Sequence, residues 1–184
     1  YRGEIESSHP ASSGTAYTII ATLVQMMGED KAFGYMRNLH RNVTQYTKSG
    51  NAQAQSVGRG EASIGISWEF GFVAEAARGF PIAIKHPCEG TGYEVGGMAI
   101  IKGARNRENA RRWYDWALSP EAQALAARVG SLQIPSNRKT PLDPRIPTMD
   151  GVKLIDYDFR KFGSPTERKR LIDRWEKEVN AAPR

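Results

Sequence analysis

The sequence predicts an α/β fold built on a parallel sheet, and three observations predict it. From Glu4 to Lys85, short β-branched apolar runs alternate with helical patterns in the order strand, helix, strand, helix, strand, helix, strand. Turn-forming residues sit where these runs end: Pro10 to Thr15, Ser49 to Asn51, and Gly79. The 184 residues are 40% hydrophobic and 25% charged, the balance of a globular chain long enough for one domain with a true core.

Each element has its own reason. Glu4 to Ser8 is short and alternating, hence a strand, and His9 to Thr15 is a turn. Ala16 to Met27 is an apolar helix closed by Gly28. About Asp30 to Leu39 is a second helix with Phe33, Met36 and Leu39 on one face. Val43 to Thr47 reads as a strand, Ala52 to Gly58 as a helix, and Ala62 to Trp68 as a buried strand. Glu69 to Ala77 is a helix ended by Gly79, and Ile82 to Lys85 is again a strand. After Gly90 the character changes. Tyr93 to Ile101 is strand-like and contains Gly96-Gly97. Asn106 to Leu118 is amphipathic, with Trp113, Trp116 and Ala117 expected toward a core. Ser119-Pro120-Glu121 starts the next helix: Ser caps, Pro fits the first turn, and Glu favours the positive helix end. Prolines from Pro135 to Pro147 mark an irregular stretch. The last helix runs from about Ser164 to Val179, with Leu171, Ile172, Trp175 and Val179 as its buried stripe.

Composition excludes several functions. The 26 Lys+Arg against 20 Asp+Glu give a net charge of +6. These cations are scattered, and the densest stretch, Glu167 to Arg170, also precedes Asp173, Glu176 and Glu178, as on a solvated helix face. No one-sided basic stripe and no reading motif is present, so no nucleic-acid partner is expected. The longest weakly polar run, Val95 to Ile101, falls far short of the roughly 20 apolar residues of a spanning helix. One cysteine, Cys88, forbids an internal disulfide and fits a cytosolic or a periplasmic protein equally. The chain opens on Tyr1 without a charged and then apolar leader, so a signal peptide is not part of this sequence.

In parallel α/β sheets ligands bind beyond the carboxyl ends of the strands. Three loops occupy that position: Ser12 to Thr15, Ser49 to Asn51 and Trp68 to Phe70. Ser12, Ser13, Gly14 and Thr15 open a helix whose first N–H groups lack partners, an arrangement suited to an anion. A serine-rich cap with no ligand is the equal alternative. Ser49, Gly50 and Asn51 form a second start of the same kind beside Lys48, again either cap or anion site. Trp68 stacks on a ligand ring or lies half-buried; Glu69 takes hydroxyls or a cation, with Phe70 next to it. Tyr93 and Glu94 follow the Gly90–Gly92 turn, and Glu94 is either a surface carboxylate or a cleft one. His9, His40 and His86 lack metal-ligand spacing, no Gly-x-Ser-x-Gly elbow exists, and Cys88 has no base motif beside it. No catalytic residue, metal or cofactor is expected, and the balance favours binding over enzymatic turnover.

The runs Pro10 to Tyr17, Gly60 to Ile66 and Gly79 to Pro81, then Gly92 to Glu94, Ile101 to Asn106 and Ser119 to Gln123, resemble the solute-binding proteins of ABC importers. The similar branch is that of ferric-iron, sugar-phosphate and phosphonate binders. The resemblance implies a type II periplasmic-binding fold, in which two α/β lobes close on a ligand like a flytrap. It also implies that this chain is the C-terminal part of the family's chain, with one parallel-sheet lobe and part of the other. Residues 1–87 look like the second lobe, 92–135 like a return to the first lobe, and 136–184 like a segment whose helix packs back on the second lobe. The implied partners are a small anionic ligand, phosphate- or phosphonate-bearing, and an ABC permease in the inner membrane; the implied location is the periplasm. Iron-binding relatives use a pair of neighbouring tyrosines, absent here. Sugar-phosphate relatives carry a His-Asp pair after the third strand, where this chain has Phe70 and Gly71, while Glu94 matches a carboxylate they use. Ferric-iron binding, or effector sensing for a transcription regulator of the same two-lobed architecture, are the alternatives.

Overall fold

The computed structural model describes residues 1–184. The chain divides into two units, Tyr1–Tyr93 with Asp150–Arg184, and Glu94–Met149.

The larger unit is built on three parallel strands, β1 (Ile5–Ser8), β2 (Val43–Thr47) and β3 (Ile64–Gly65), in the order β2-β1-β3. The sheet is parallel, as the alternation predicts, and β1 is its centre. Between the strands run α1 (Gly14–Met27), α2 (Glu29–His40) and α3 (Ala52–Gly58), and α4 (Glu69–Ala77) follows β3. The register Ser7↔Tyr46 and Ser8↔Thr47 assigns the two faces, because successive side chains alternate. Tyr46 meets Trp175 edge-on at 5.0 Å and stacks on His40 at 5.7 Å, so its face carries α2 and the C-terminal helix. Glu6 pairs with Gly65, and a Cβ on Gly65 would sit 2.9 Å from Phe72 Cζ and 3.0 Å from Gln53 Cβ; that face carries α3 and α4.

The core lies on the first face. Tyr17, Ile20, Ala21 and Val24 of α1 pack with Ala32, Phe33 and Met36 of α2 and with the C-terminal segment. That segment comprises α7 (Phe159–Phe162), α8 (Pro165–Trp175) and a π-helical turn, Glu176–Asn180. The expected stripe of Leu171, Ile172, Trp175 and Val179 is buried. Ser164 caps α8 by accepting from Glu167 N at 3.3 Å, with Pro165 in its first turn. Glu29 ties α2 to α8 by accepting from Arg170 at 2.8 Å and Arg174 at 2.7 Å, which hold its carboxyl down to about 2.

The smaller unit contains α5 (Arg107–Ala117) and α6 (Pro120–Arg128). Ser119 Oγ caps α6 through Ala122 N at 3.2 Å. Asn137 fastens the Pro-rich stretch by donating to Leu118 O at 2.8 Å, while its N–H donates to Gln123 Oε1 at 2.9 Å.

Four expectations need correction. Ile82 to Lys85 and Tyr93 to Ile101 pair with no strand and run irregularly, and the third strand is only Ile64–Gly65. β-propensity is realised only where a neighbouring strand completes the ladder. Trp113 and Trp116 do not reach a core: they are 61% and 46% exposed, and α5 buries no residue.

Candidate functional site

The central strand β1 feeds the first loop. His9 O accepts from Ser12 N at 3.1 Å and Ser13 N at 2.9 Å, which turns the chain into α1. Ser13 is extended and its Oγ accepts from Ala16 N at 3.4 Å, so it is the cap. The N–H groups of Gly14 and Thr15, on the first turn, have no intrahelical acceptor. No acidic residue occupies that turn, so the positive end of the helix dipole is left uncompensated by side chains. Both Ser13 and Thr15 are buried, while Ser12 and Gly14 are exposed. The Ser12 hydroxyl is engaged elsewhere: it lies 3.2 Å from Lys48 O and 3.3 Å from His9 O, linking the first loop to the second.

Ser49, Gly50 and Asn51 lie directly against the first loop. A Cβ on Gly50 would stand 3.0 Å from Thr15 Cβ and 3.1 Å from Ser13 Oγ, and would overlap Thr15 Oγ1. Only a residue without a side chain fits between the two hydroxyls. Behind the loop, Thr47 Oγ1 donates to Ser49 O at 2.8 Å and accepts from Gln53 Nε2 at 2.7 Å. Asn51 does not cap α3 with its side chain; its N–H donates to Ser49 Oγ at 3.3 Å.

The third loop joins the second through the Ser67 hydroxyl, which donates to Gly50 O. Gly71 lies against the Asn51 side chain, whose Oδ1 would be 3.4 Å from a Cβ there. Trp68, Glu69 and Phe70 are half-buried, and Glu69 Oε1 is 3.2 Å from His86 Nε2. The structure therefore brings the three predicted loops together at the carboxyl end of one sheet. The Tyr93 ring lies 5.3 Å from Phe159 and 6.4 Å from Tyr157, against the core. Glu94 is exposed and begins the smaller unit.

Four neighbours of the loops were not singled out by the sequence: Ser67, His86, Thr47 and Gln53. Ser67 stands one residue before Trp68 at a strand end, a position that could have flagged it. Thr47 and Gln53 look like ordinary strand and helix residues, and only the fold places them under the second loop. Burial, with Glu167 beside it, raises the phenol of Tyr17 on α1, which donates to Phe162 O at 2.6 Å.

Chemically, the loops combine two buried hydroxyls, free helix N–H groups, a close backbone approach and a half-buried aromatic wall. That set suits an oxyanion attached to a less polar body.

Known proteins share this arrangement of sequence. Residues 1–161 match the family described as bacterial extracellular solute-binding protein. An uncharacterized protein of Haemophilus influenzae is 47% identical over 182 residues, 98% of this chain and 53% of that protein. The periplasmic binding protein AfuA from Actinobacillus pleuropneumoniae, solved with exogenous fructose-6-phosphate bound, is 48% identical with a TM-score of 0.93, over 98% of this chain and 57% of that one. The periplasmic binding protein P5PA is 45% identical with a TM-score of 0.89, over 97% and 57%. A Bordetella ferric binding protein, 18% identical with a TM-score of 0.67, shares the fold. The chain spans about half the length of these relatives.

Proposed function

Since this chain belongs to the bacterial extracellular solute-binding proteins, we propose that its three strand-end loops capture a small phosphate-bearing solute for an ABC importer. The observation that carries the reading is the packing of Gly50 against the buried Ser13 and Thr15 hydroxyls at the start of α1. The anion accepts from the Gly14 and Thr15 N–H groups and from these hydroxyls, each a charge-assisted bond of about 1.5–3 kcal/mol. Trp68 and Phe70 face the remainder of the solute, and Ser49 and Asn51 border it. In this reading residues 1–87 and the last helix make up the lobe that carries the loops, and residues 92–135, Glu94 included, return to the other lobe. AfuA, at 48% identity, holds a sugar phosphate, which supports the phosphate end of this reading. Phe70 and Gly71 follow the third strand in place of a polar pair, and so favour a solute less rich in hydroxyls at that end.

In this reading the protein works in the periplasm, delivers its solute to an inner-membrane permease, and turns nothing over. The test is calorimetric titration of this chain with fructose 6-phosphate, other sugar phosphates, a phosphonate, unphosphorylated fructose and ferric citrate. Heat of binding from a phosphorylated or phosphonate compound, and none from fructose, is the expected result. Binding of ferric citrate alone would overturn the phosphate reading.

A further inference from the structure

Positive charge also collects at the opposite end of the sheet. Arg2, Arg37, Arg41 and Arg184 line a cavity of about 730 Å³, with Asn38 and Asn42 between them. The four guanidiniums come from three stretches of chain: before β1, at the end of α2, and after the π-helical turn. Asn42 joins the first two stretches. Its carbonyl accepts from Gly3 N at 3.0 Å and Ile5 N at 3.3 Å, and its N–H donates to Leu39 O at 2.9 Å.

Two of the arginines are tethered. Arg37 Nη1 meets Glu178 Oε2 at 2.8 Å. Arg184 Nη1 donates to Thr44 O at 2.6 Å and lies 5.9 Å from the centre of the Tyr46 ring. Arg2 and Arg41 have no acceptor, and neither Asp nor Glu lines the cavity. Glu178 compensates Arg37, but the charges of Arg2, Arg41 and Arg184 around one concavity still repel one another, and the carbonyl end of α2 offsets only part of this. A guanidinium presents a planar fork of donors that fits two oxygens of an oxyanion. Several forks together need more acceptors than one carboxylate offers; a phosphate presents three or four.

We propose that this cavity is a second anion site, which takes a phosphate group at the amino end of the sheet. It is separated from the strand-end loops by the length of β1, about 13 Å at 3.3 Å per residue, and it does not depend on what those loops bind. The phosphate is either free, as the ion or on a small molecule, or the headgroup of an anionic phospholipid.

The test uses the chain carrying Ser13→Ala and Thr15→Ala, so that the strand-end loops do not contribute. Sodium phosphate is titrated against sodium chloride of equal ionic strength while the Arg side-chain and Asn42 amide resonances are followed. Co-sedimentation with phosphatidylglycerol vesicles, against phosphatidylcholine vesicles, is measured in parallel. Saturable shifts with phosphate assign the free source. Sedimentation with phosphatidylglycerol but no response to the ion assigns the lipid source. In either case adding Arg2→Ala and Arg41→Ala is expected to weaken binding at least tenfold. Both residues are exposed, so the variant should keep the parent's circular dichroism melt. The proposal is overturned if neither probe binds, if chloride gives the same response, or if the arginine variant binds as tightly as its parent.

Discussion

Gly50→Ala tests the closeness of the first two loops. The new methyl would stand 3.0 Å from Thr15 Cβ and 3.1 Å from Ser13 Oγ. Ordinary carbon contacts lie near 3.5–4.0 Å. Rotating the Thr15 hydroxyl away relieves its overlap but leaves the carbon–carbon approach, so one loop must retreat by about half an ångström or more. Inserting a methylene-sized group into packed structure costs about 1–3 kcal/mol, which lowers Tm by about 2–12 °C for a chain of this size. The same retreat would part the Ser13 and Thr15 hydroxyls from the proposed anion, and affinity for a phosphorylated solute should then fall at least tenfold. Gly14→Ala is the control. A Cβ there meets nothing within 4 Å, and Ala is the better helix former, so stability should hold or rise by up to about 1 kcal/mol. The assays are a calorimetric melt and a titration of each variant. A Gly50→Ala protein that melts and binds like the parent would refute the argument that these loops are in contact.

Three further outcomes follow from the packing. Glu29, held down to about 2 by Arg170 and Arg174, contributes stability that is complete above about pH 4.5 and lost as pH falls toward 2. The shift caps this at about 3 kcal/mol, and solvent screening of partly exposed partners reduces it to about 1, so Glu29→Gln should flatten urea-unfolding stability between pH 5 and pH 2. His40 is lowered by burial, its Nδ1 3.1 Å from Tyr46 Oη and its Nε2 3.1 Å from Ala182 O. Stability is therefore complete above the ordinary His value of 6.5 and lost as pH falls below it, a decline that His40→Phe should remove from Tm measured between pH 8 and pH 5. Burial pushes Tyr46 up to about 12, so its share of the alkaline loss of stability begins near pH 10 and completes near 12, and Tyr46→Phe should remove that share in the same melts, leaving the share of the raised Tyr17 phenol.

Much of this fold was legible because local rules and packing agree. Ser13, Ser119 and Ser164 cap their helices as residue type demands. The α3 and α4 spans read from the sequence are those of the structure, and so is β2. The convergence of the three loops came from element order alone, because strands that run parallel end together. What was hidden depends on distant partners. Ile82 to Lys85 and Tyr93 to Ile101 have strand composition, but no strand of this chain pairs with them. The exposed Trp113 and Trp116 have the same origin: helical periodicity shows an apolar face, not what covers it. Ser67 on the Gly50 carbonyl, and Gln53 acting through Thr47 on Ser49, join residues that no sequence pattern links. Trp68 and Phe70 are legible as residue types at a strand end, and the structure leaves both half-buried.

The central claim is that the Ser13 and Thr15 hydroxyls, at the start of α1, hold the anionic group of the solute. The most direct measurement is the dissociation constant of fructose 6-phosphate, or of the best phosphorylated compound, for the parent and for Ser13→Ala/Thr15→Ala. The two lost bonds predict a weakening of at least tenfold, at a Tm lowered by only a few degrees from the loss of the Ser13 cap. Equal dissociation constants for the two proteins would contradict the claim and move the solute away from the strand-end loops.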